Sequence, residues 1–349
     1  MLFNSYLFLF GFLPSVFVVF YALPRQAWRV AFLVAASYAF YAYAAWWFPL
    51  LMVGTTAISY LTGRLLDRAA SAEHRGRILA TGVAGSLGLL VYFKYAQFVV
   101  HGSSSFLTAI TGRGLPSVEA FTAKIALPIG ISFFTFEAIS YMVDVYRGDL
   151  RAERNIVRYA LFISFFPHLV AGPIVRYGKL GPQLERLYRV DPDLLLGGLG
   201  LIALGLVKKV VIADSIAVRA DAVLAAPGSA GFAASWLAMI GYSFQIYFDF
   251  AGYCDMALGL ARLFGIELPS NFDRPYRARN PQEFWRRWHV TLSGWLRDYL
   301  YIPLGGNRRG AVRRDGNLLV TMALGGLWHG ASFGFVVWGV YQGILLVGH

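Results

Sequence analysis

The chain has 349 residues, 57% of them hydrophobic and only 14% charged, with a formal net charge of +12. Soluble domains carry roughly a quarter charged residues, so this composition excludes an ordinary water-soluble enzyme and predicts an all-α, polytopic membrane protein. The basic excess sits in clusters between apolar runs, as in cytoplasmic loops, and argues against a nucleic-acid partner; the single cysteine, Cys254, excludes an internal disulfide and a cysteine-only metal site.

Apolar runs near the roughly 20 residues that a spanning helix needs predict segments at Leu7–Tyr21, Trp28–Phe48, Pro49–Leu61, Ile78–Val100, Ile125–Val145, Ile156–Val175, Leu194–Ala213, Phe232–Leu258 and Leu318–Val347. The first run is followed by no small-residue cleavage site and reads as a retained span. Arg25 and Arg29, then Arg64, Arg68, Arg75 and Arg77, then Arg147, Arg151, Arg154 and Arg158, mark cytoplasmic loops and put the N-terminus outside. Arg176, Lys179, Arg186 and Arg189 make the far flank of Ile156–Val175 basic too. That segment contains FFPHLVAGP, so a re-entrant path is expected, as it is for ALPIGISFF at Ala126–Phe134. Irregular backbone at membrane depth survives only inside protein or around a cavity, and two such segments predict a central chamber. Glu137, Asp144 and Lys94 read as span-end residues, and Lys208 and Lys209 as side chains that reach back to the interface.

The stretch NPQEFWRRWHVTLSGWLRDYLYIP, Asn280–Pro303, opens like a helix, with Asn280 as cap, Pro281 in the first turn and Glu283 three residues past the cap. Read as one helix, it places Trp285, Trp288, Leu292, Trp295 and Tyr299 in an apolar arc and Arg286, Arg287 and Arg297 opposite, the pattern of an interfacial helix. His289 falls inside the apolar arc near its edge and reads equally well as a rim anchor. Further on, VTMALGGLWHGASFGFVVW, Val320–Trp338, has no Asp, Glu, Lys or Arg but holds His329 at its centre. An ionisable group within a span tends to face a cavity and mark function. Gly325, Gly326 and Gly330 around it allow close backbone approach. The bland reading is a neutral core histidine bonded to a carbonyl, since burial disfavours the imidazolium. In SFQIYFDFAGYCDMALG, Asp249 and Asp255 fall on different helix faces, whereas Gln245 and Asp249 share one and either steer a histidine or bond another helix. His168 reads as structural. Metal binding by the two histidines lacks further ligands, and no G-x-x-x-x-G-K-[ST], H-E-x-x-H or G-x-S-x-G motif occurs.

The run from SFQIYFDFAGYCDMALGLARLFG through NPQEFWRRWHVTLSGWLRDYLYIPLGGN to LWHGAS, with LPIGISFFTFEAISYMVDVYRG and FFPHLVAGPIVR, resembles the membrane-bound O-acyltransferases, most nearly the branch of alginate O-acetylation and teichoic-acid D-alanylation. The resemblance covers most of the chain from about Phe93 on. It implies a single membrane domain over residues 1–349, a helical shell around a tunnel, and catalysis at His329 with His289, with Asp249, Gln245, Trp285, Trp328 and Arg286 as candidates for substrate binding. It implies a bacterial inner-membrane location; no bound cofactor or metal is expected, and the basic face Arg274–Arg297 suits either a phosphate-bearing donor, acetyl-CoA or an acyl-carrier thioester, or anionic lipid heads. The implied partners are membrane lipids, a periplasmic esterase-like acetyltransferase and polysaccharide machinery. The chain ends at ILLVGH, still apolar, where members of that family continue, so a truncated C-terminus is expected. A D-alanylating or lipid/protein O-acyltransferase is the alternative reading; a channel or flippase that uses both histidines as pore groups is the alternative of another class. The expected picture is a deeply buried His329 and a His289 at the rim, meeting in one cavity.

Overall fold

A computed structural model of the chain describes residues 1–112, 114–186, 190–308 and 310–349; Arg189 lies outside the described residues. Those residues form helices and loops, with no strand among them. The main helices are α1 (Leu7–Ala22), α2 (Gln26–Ala42), α3 (Phe48–Arg68), α4 (Ala72–Thr111), α5 (Pro116–Thr122), α6 (Ile131–Arg147), α7 (Ile156–Ser164), α8 (Pro192–Ala225), α9 (Phe232–Leu263), α10 (Pro281–Arg287), α11 (Val290–Leu296), α12 (Ala311–His329) and α13 (Phe333–Gly348). Among the described residues, two helices are long and apolar enough to cross a bilayer, α4 and α8; α1 and α13 are apolar but shorter.

Several expected boundaries move, each for a local reason. The Pro49–Leu61 run becomes the 21-residue α3, because Pro49 suits a first turn, where its missing N–H costs nothing. The expected Ile125–Val145 span begins as helix only at Ile131, after Gly130 in the left-handed region at φ 77°. The Ile156–Val175 run breaks at Phe165, just ahead of Pro167. Leu318–Val347 is two helices, separated by an extended Gly330.

The chain separates into two compact units. One comprises Met1–Trp46 and Ala160–Phe272. Its core holds a cluster of phenylalanines, with Phe12 meeting Phe166 edge-on at 5.4 Å and Phe8 meeting Phe40 at 5.9 Å. Here α8 and α9 touch along glycines: a Cβ on Gly205 would strike the Gly252 carbonyl, and one on Gly259 the Gly198 carbonyl. Small residues at a helix seam let backbones approach closely. Lys208 and Lys209 do not reach outward as expected. Lys208 pairs with Asp255 at 2.5 Å, and Lys209 with Asp249 at 2.6 Å and Asp214 at 2.7 Å. A cation facing a helix seam is stabilised by a carboxylate, and both lysines find one.

The other unit comprises Trp47–Tyr159 and Asp273–His349. The Tyr141 ring of α6 sits where a Cβ on Gly63 of α3 would be. Arg75 closes two helix ends at once, donating to the carbonyl of Leu66 at 2.5 Å and to that of Tyr146 at 2.8 Å. The last carbonyls of a helix lack intrahelical donors, and a cation there also meets the negative end of the macrodipole. Both candidate histidines belong to this unit.

Candidate functional site

Two breaks in helical structure build the site. At the first, Asn280 Oδ1 accepts the Glu283 N–H at 2.8 Å and Glu283 Oε2 accepts the Arg279 N–H at 2.8 Å, so α10 starts as its sequence predicts. That backbone N–H and the Arg287 guanidinium hold the Glu283 carboxyl below the usual carboxylate range. The helix does not run on to Pro303, however. It stops at Arg287; Trp288 is extended, and His289 takes a left-handed conformation, φ 44° and ψ 53°. An L-residue in that region costs about 1–2 kcal/mol, and such strain gathers at functional sites where the surroundings enforce it. The enforcing bonds are short: Asp273 N–H to the Arg287 carbonyl at 2.9 Å, Trp288 N–H to Phe284 at 2.8 Å and Ser293 N–H to the His289 carbonyl at 2.9 Å. The break resets the helical phase, so the apolar arc drawn across it does not describe His289. Its residue is 1% exposed, not a rim anchor.

The second break sets His329. It is the last residue of α12, and the chain turns through Gly330 into α13. A Cβ on Gly326 would overlap the Phe335 carbonyl, and one on Gly330 the Phe335 ring, so the tight hairpin needs both glycines. His329 therefore stands at a helix end, and its side chain is accessible. His289 is enclosed, whereas the His329 side chain is accessible.

The two imidazole rings are 6.5 Å apart between centroids. Trp328 lies against both, 5.9 Å from His289 and 5.0 Å from His329, and is itself 7% exposed. Phe133 and Phe136 of α6 back Trp328 at 5.3 and 5.6 Å, and Phe136 stacks on Trp295 at 3.7 Å. Such aromatic pairs contribute about 0.5–1.5 kcal/mol each beyond area burial, which makes this a stiff floor. On the other side, Trp338 is 5.3 Å from His329 and 6.0 Å from Trp285. The indole N–H groups of Trp328 and Trp285 are buried with no hydrogen-bond partner among the described residues.

Trp285 also lines an open pocket of about 820 Å³ together with Arg286, Ser293, Arg297, Asn307, Arg314 and the last residues of the sequence, 346–349. Arg297 pairs with Asp298 and Arg314 with Asp315, both at 2.7 Å. Arg286 is exposed and makes no ion pair among the described residues. Gln245 and Asp249 lie in the other unit, where Gln245 donates to Asp221 at 3.3 Å and Asp249 pairs with Lys209. Helix-to-helix bonding is what these two do there. His168 is buried beside Phe165. Among the described residues no group of three or more His, Cys, Asp or Glu is placed to hold a metal ion.

Two residues read as span ends lie within helices. Glu137 is 3% exposed in the middle of α6. Lys94 lies well inside the apolar α4 and donates to Ser132 Oγ at 2.9 Å and to the Trp328 carbonyl. Sequence reasoning missed Lys94 at the site; a lone cation within a long apolar run was the available signal.

The sequence profile of the membrane-bound O-acyltransferase family matches residues 146–349. Over 352 residues the chain is 44% identical to a probable alginate O-acetylase of Pseudomonas aeruginosa, covering 99% of this chain and 65% of that protein. It is 38% identical over 380 residues to a peptidoglycan O-acetyltransferase of Helicobacter pylori, covering 100% of this chain and 70% of that one. Similarity to a teichoic acid D-alanyltransferase of Bacillus subtilis is 32% over 228 residues, 62% of this chain and 58% of the relative. The chain thus spans 65–70% of the length of its alginate-type and peptidoglycan-type relatives.

Proposed function

Because the chain belongs to the membrane-bound O-acyltransferase family, and is by that kinship a membrane protein and an O-acyltransferase, we propose that it passes an acetyl group across a bacterial inner membrane to O-acetylate an extracellular polysaccharide of the alginate kind. The observation that supports a transfer site is the His289–His329 pair, 6.5 Å apart against one tryptophan. In this reading the open His329 is the general base. An acceptor O–H gives its proton to the imidazole, and its oxygen attacks the acyl carbonyl. The new C–O bond forms, the thioester C–S bond breaks, and the leaving thiolate takes the proton back. His289, enclosed and held by a strained backbone, donates to the oxyanion; a placed donor of this kind contributes about 10²–10³-fold.

The cavity carrying Arg286, Arg297 and Arg314 suits a phosphate-bearing donor, either acetyl-CoA or an acyl-carrier thioester, because guanidinium groups bind phosphate oxygens in pairs. Trp285, which lines that cavity, packs against Trp338, and Trp338 packs against His329. A multi-pass helical shell with re-entrant segments around a chamber, contacts with membrane lipids and polysaccharide machinery, and a periplasmic esterase-like partner that receives the group complete the proposal. The fuller similarity to O-acetylating relatives, against 62% coverage by the D-alanylating one, favours acetyl over D-alanyl.

The test is acetyl transfer from a radiolabelled thioester by the natural full-length protein, purified in lipid, with and without His329→Ala. Loss of about 10²–10⁴-fold with normal membrane insertion is expected for removal of a general base. Turnover retained in the variant overturns the assignment.

A further inference from the structure

The region of Lys94 and Tyr95 is a π-type turn, Val91–Tyr95, inside the long α4. In a regular α-helix neighbouring side chains diverge by roughly 100°. Here two consecutive residues serve the same target. Tyr95 Oη donates to the Leu327 carbonyl at 2.9 Å, and Lys94 Nζ donates to the Trp328 carbonyl. Those are the last two carbonyls before His329 at the end of α12. Carbonyls in a last turn lack intrahelical donors, and the negative end of the helix dipole favours a cation. The Lys94 ammonium also lies 5.5 Å from the Trp328 ring centre and bonds Ser132 Oγ on α6 at 2.9 Å. It ties the end of α12 to the helix that floors the site. No carboxylate among the described residues pairs with it.

We infer that Lys94, seconded by Tyr95, is a positioning residue for His329: it locks the final turn of α12 so that the imidazole stays against Trp328 and next to His289. This rests on His329 as the base. Lys94 acts through the helix end and not on the reacting atoms. The bond explains why a lysine stands deep in an apolar helix, where an ammonium is costly unless it has work. It also explains the π turn, a distortion that recurs at functional sites.

Steady-state kinetics of the full-length protein with a varied acetyl donor test this. In Lys94→Met, kcat per folded molecule should fall about tenfold to a hundredfold, the size of effect a misplaced catalytic group produces, with donor KM and thermal midpoint near wild type. A role in folding alone would lower the yield of folded protein and leave kcat per folded molecule unchanged. Lys94→Cys should be equally slow and should recover on aminoethylation with 2-bromoethylamine, which rebuilds an ammonium at the same reach; Cys254, the other cysteine of these 349 residues, is buried. If neither variant folds, Tyr95→Phe removes only the bond to the Leu327 carbonyl and should lower kcat about twofold to tenfold. Wild-type kcat in Lys94→Met, failed recovery on aminoethylation, or wild-type kcat in Tyr95→Phe overturns the inference. His329→Ala measured alongside separates the failures: an inactive His329→Ala with wild-type Lys94 variants rejects only the role of Lys94, and an active His329→Ala rejects the base assignment itself.

Discussion

Lysines in the two units are treated differently. In one unit Lys208 faces Asp255, and Lys209 lies between Asp214 and Asp249. In the other, Lys94 donates to a hydroxyl and a backbone carbonyl and lies over aromatic rings, with no carboxylate partner among the described residues, and that carbonyl precedes His329. A neutralised cation glues helices; removing one partner leaves the other charge stranded. A cation spent on a helix end instead fixes what that helix presents. The contrast separates polar groups that join helices from those that arrange the site, although a sequence shows both as a lysine in an apolar run.

Substitutions at the two breaks give the largest expected effects. His289→Asn keeps a residue that tolerates the left-handed region, so the protein should fold while transfer falls about 10²-fold or more, the usual loss of an oxyanion donor. His289→Val puts a β-branched side chain at φ 44° and should lower both folded yield and transfer. Equal behaviour of the two in a melting assay would break the link between backbone strain and site. Next, Gly326→Leu drives a side chain into the Phe335 carbonyl. It should cost about 1–3 kcal/mol or more by overpacking, read as a lower melting midpoint with transfer lost in parallel.

Lys209→Met sharpens the comparison directly. It strands Asp214 and Asp249, but both are about half exposed, so the cost should be about 1 kcal/mol, well under that of a fully buried pair. Turnover per folded molecule should stay at the wild-type level. A kinetic defect without a stability defect would show that the paired lysine also serves the chemistry. The smallest effect belongs to Glu283→Gln. The native carboxyl, held below its ordinary range, contributes stability that is present at neutral pH and is lost as pH falls through its folded-state value. The variant should melt slightly below wild type at pH 7, and the difference should vanish in acid. A difference that grows in acid would contradict the bond to Arg279.

Parts of this were plain from the sequence. The Asn280 cap and the glycines beside His329 both rest on local rules that act within a few residues. The break at His289 was not legible, because WRRWHV holds neither Gly nor Pro and the apolar spacing continues through Leu292 and Trp295. What turns the chain there includes Asp273, fourteen residues upstream of its partner Arg287. The partners of Lys208 and Lys209 on α9 lie 47 and 40 residues along the chain, beyond any periodicity. Lys94 reads as a span end because the apolar run is bounded at Val100, whereas α4 continues to Thr111. A span-end lysine and a mid-helix lysine differ only by where the helix stops.

Photolabelling tests the central claim, that the pair of breaks at His289 and His329 holds the acyl group, most directly. An acetyl-CoA analogue with a diazirine on its acyl chain, irradiated with the natural protein in lipid, should label peptides bearing His289, Trp328 or His329, and unmodified acetyl-CoA should compete it away. Competable label confined to the Gln245–Asp249 stretch, with none at either histidine, would contradict the account.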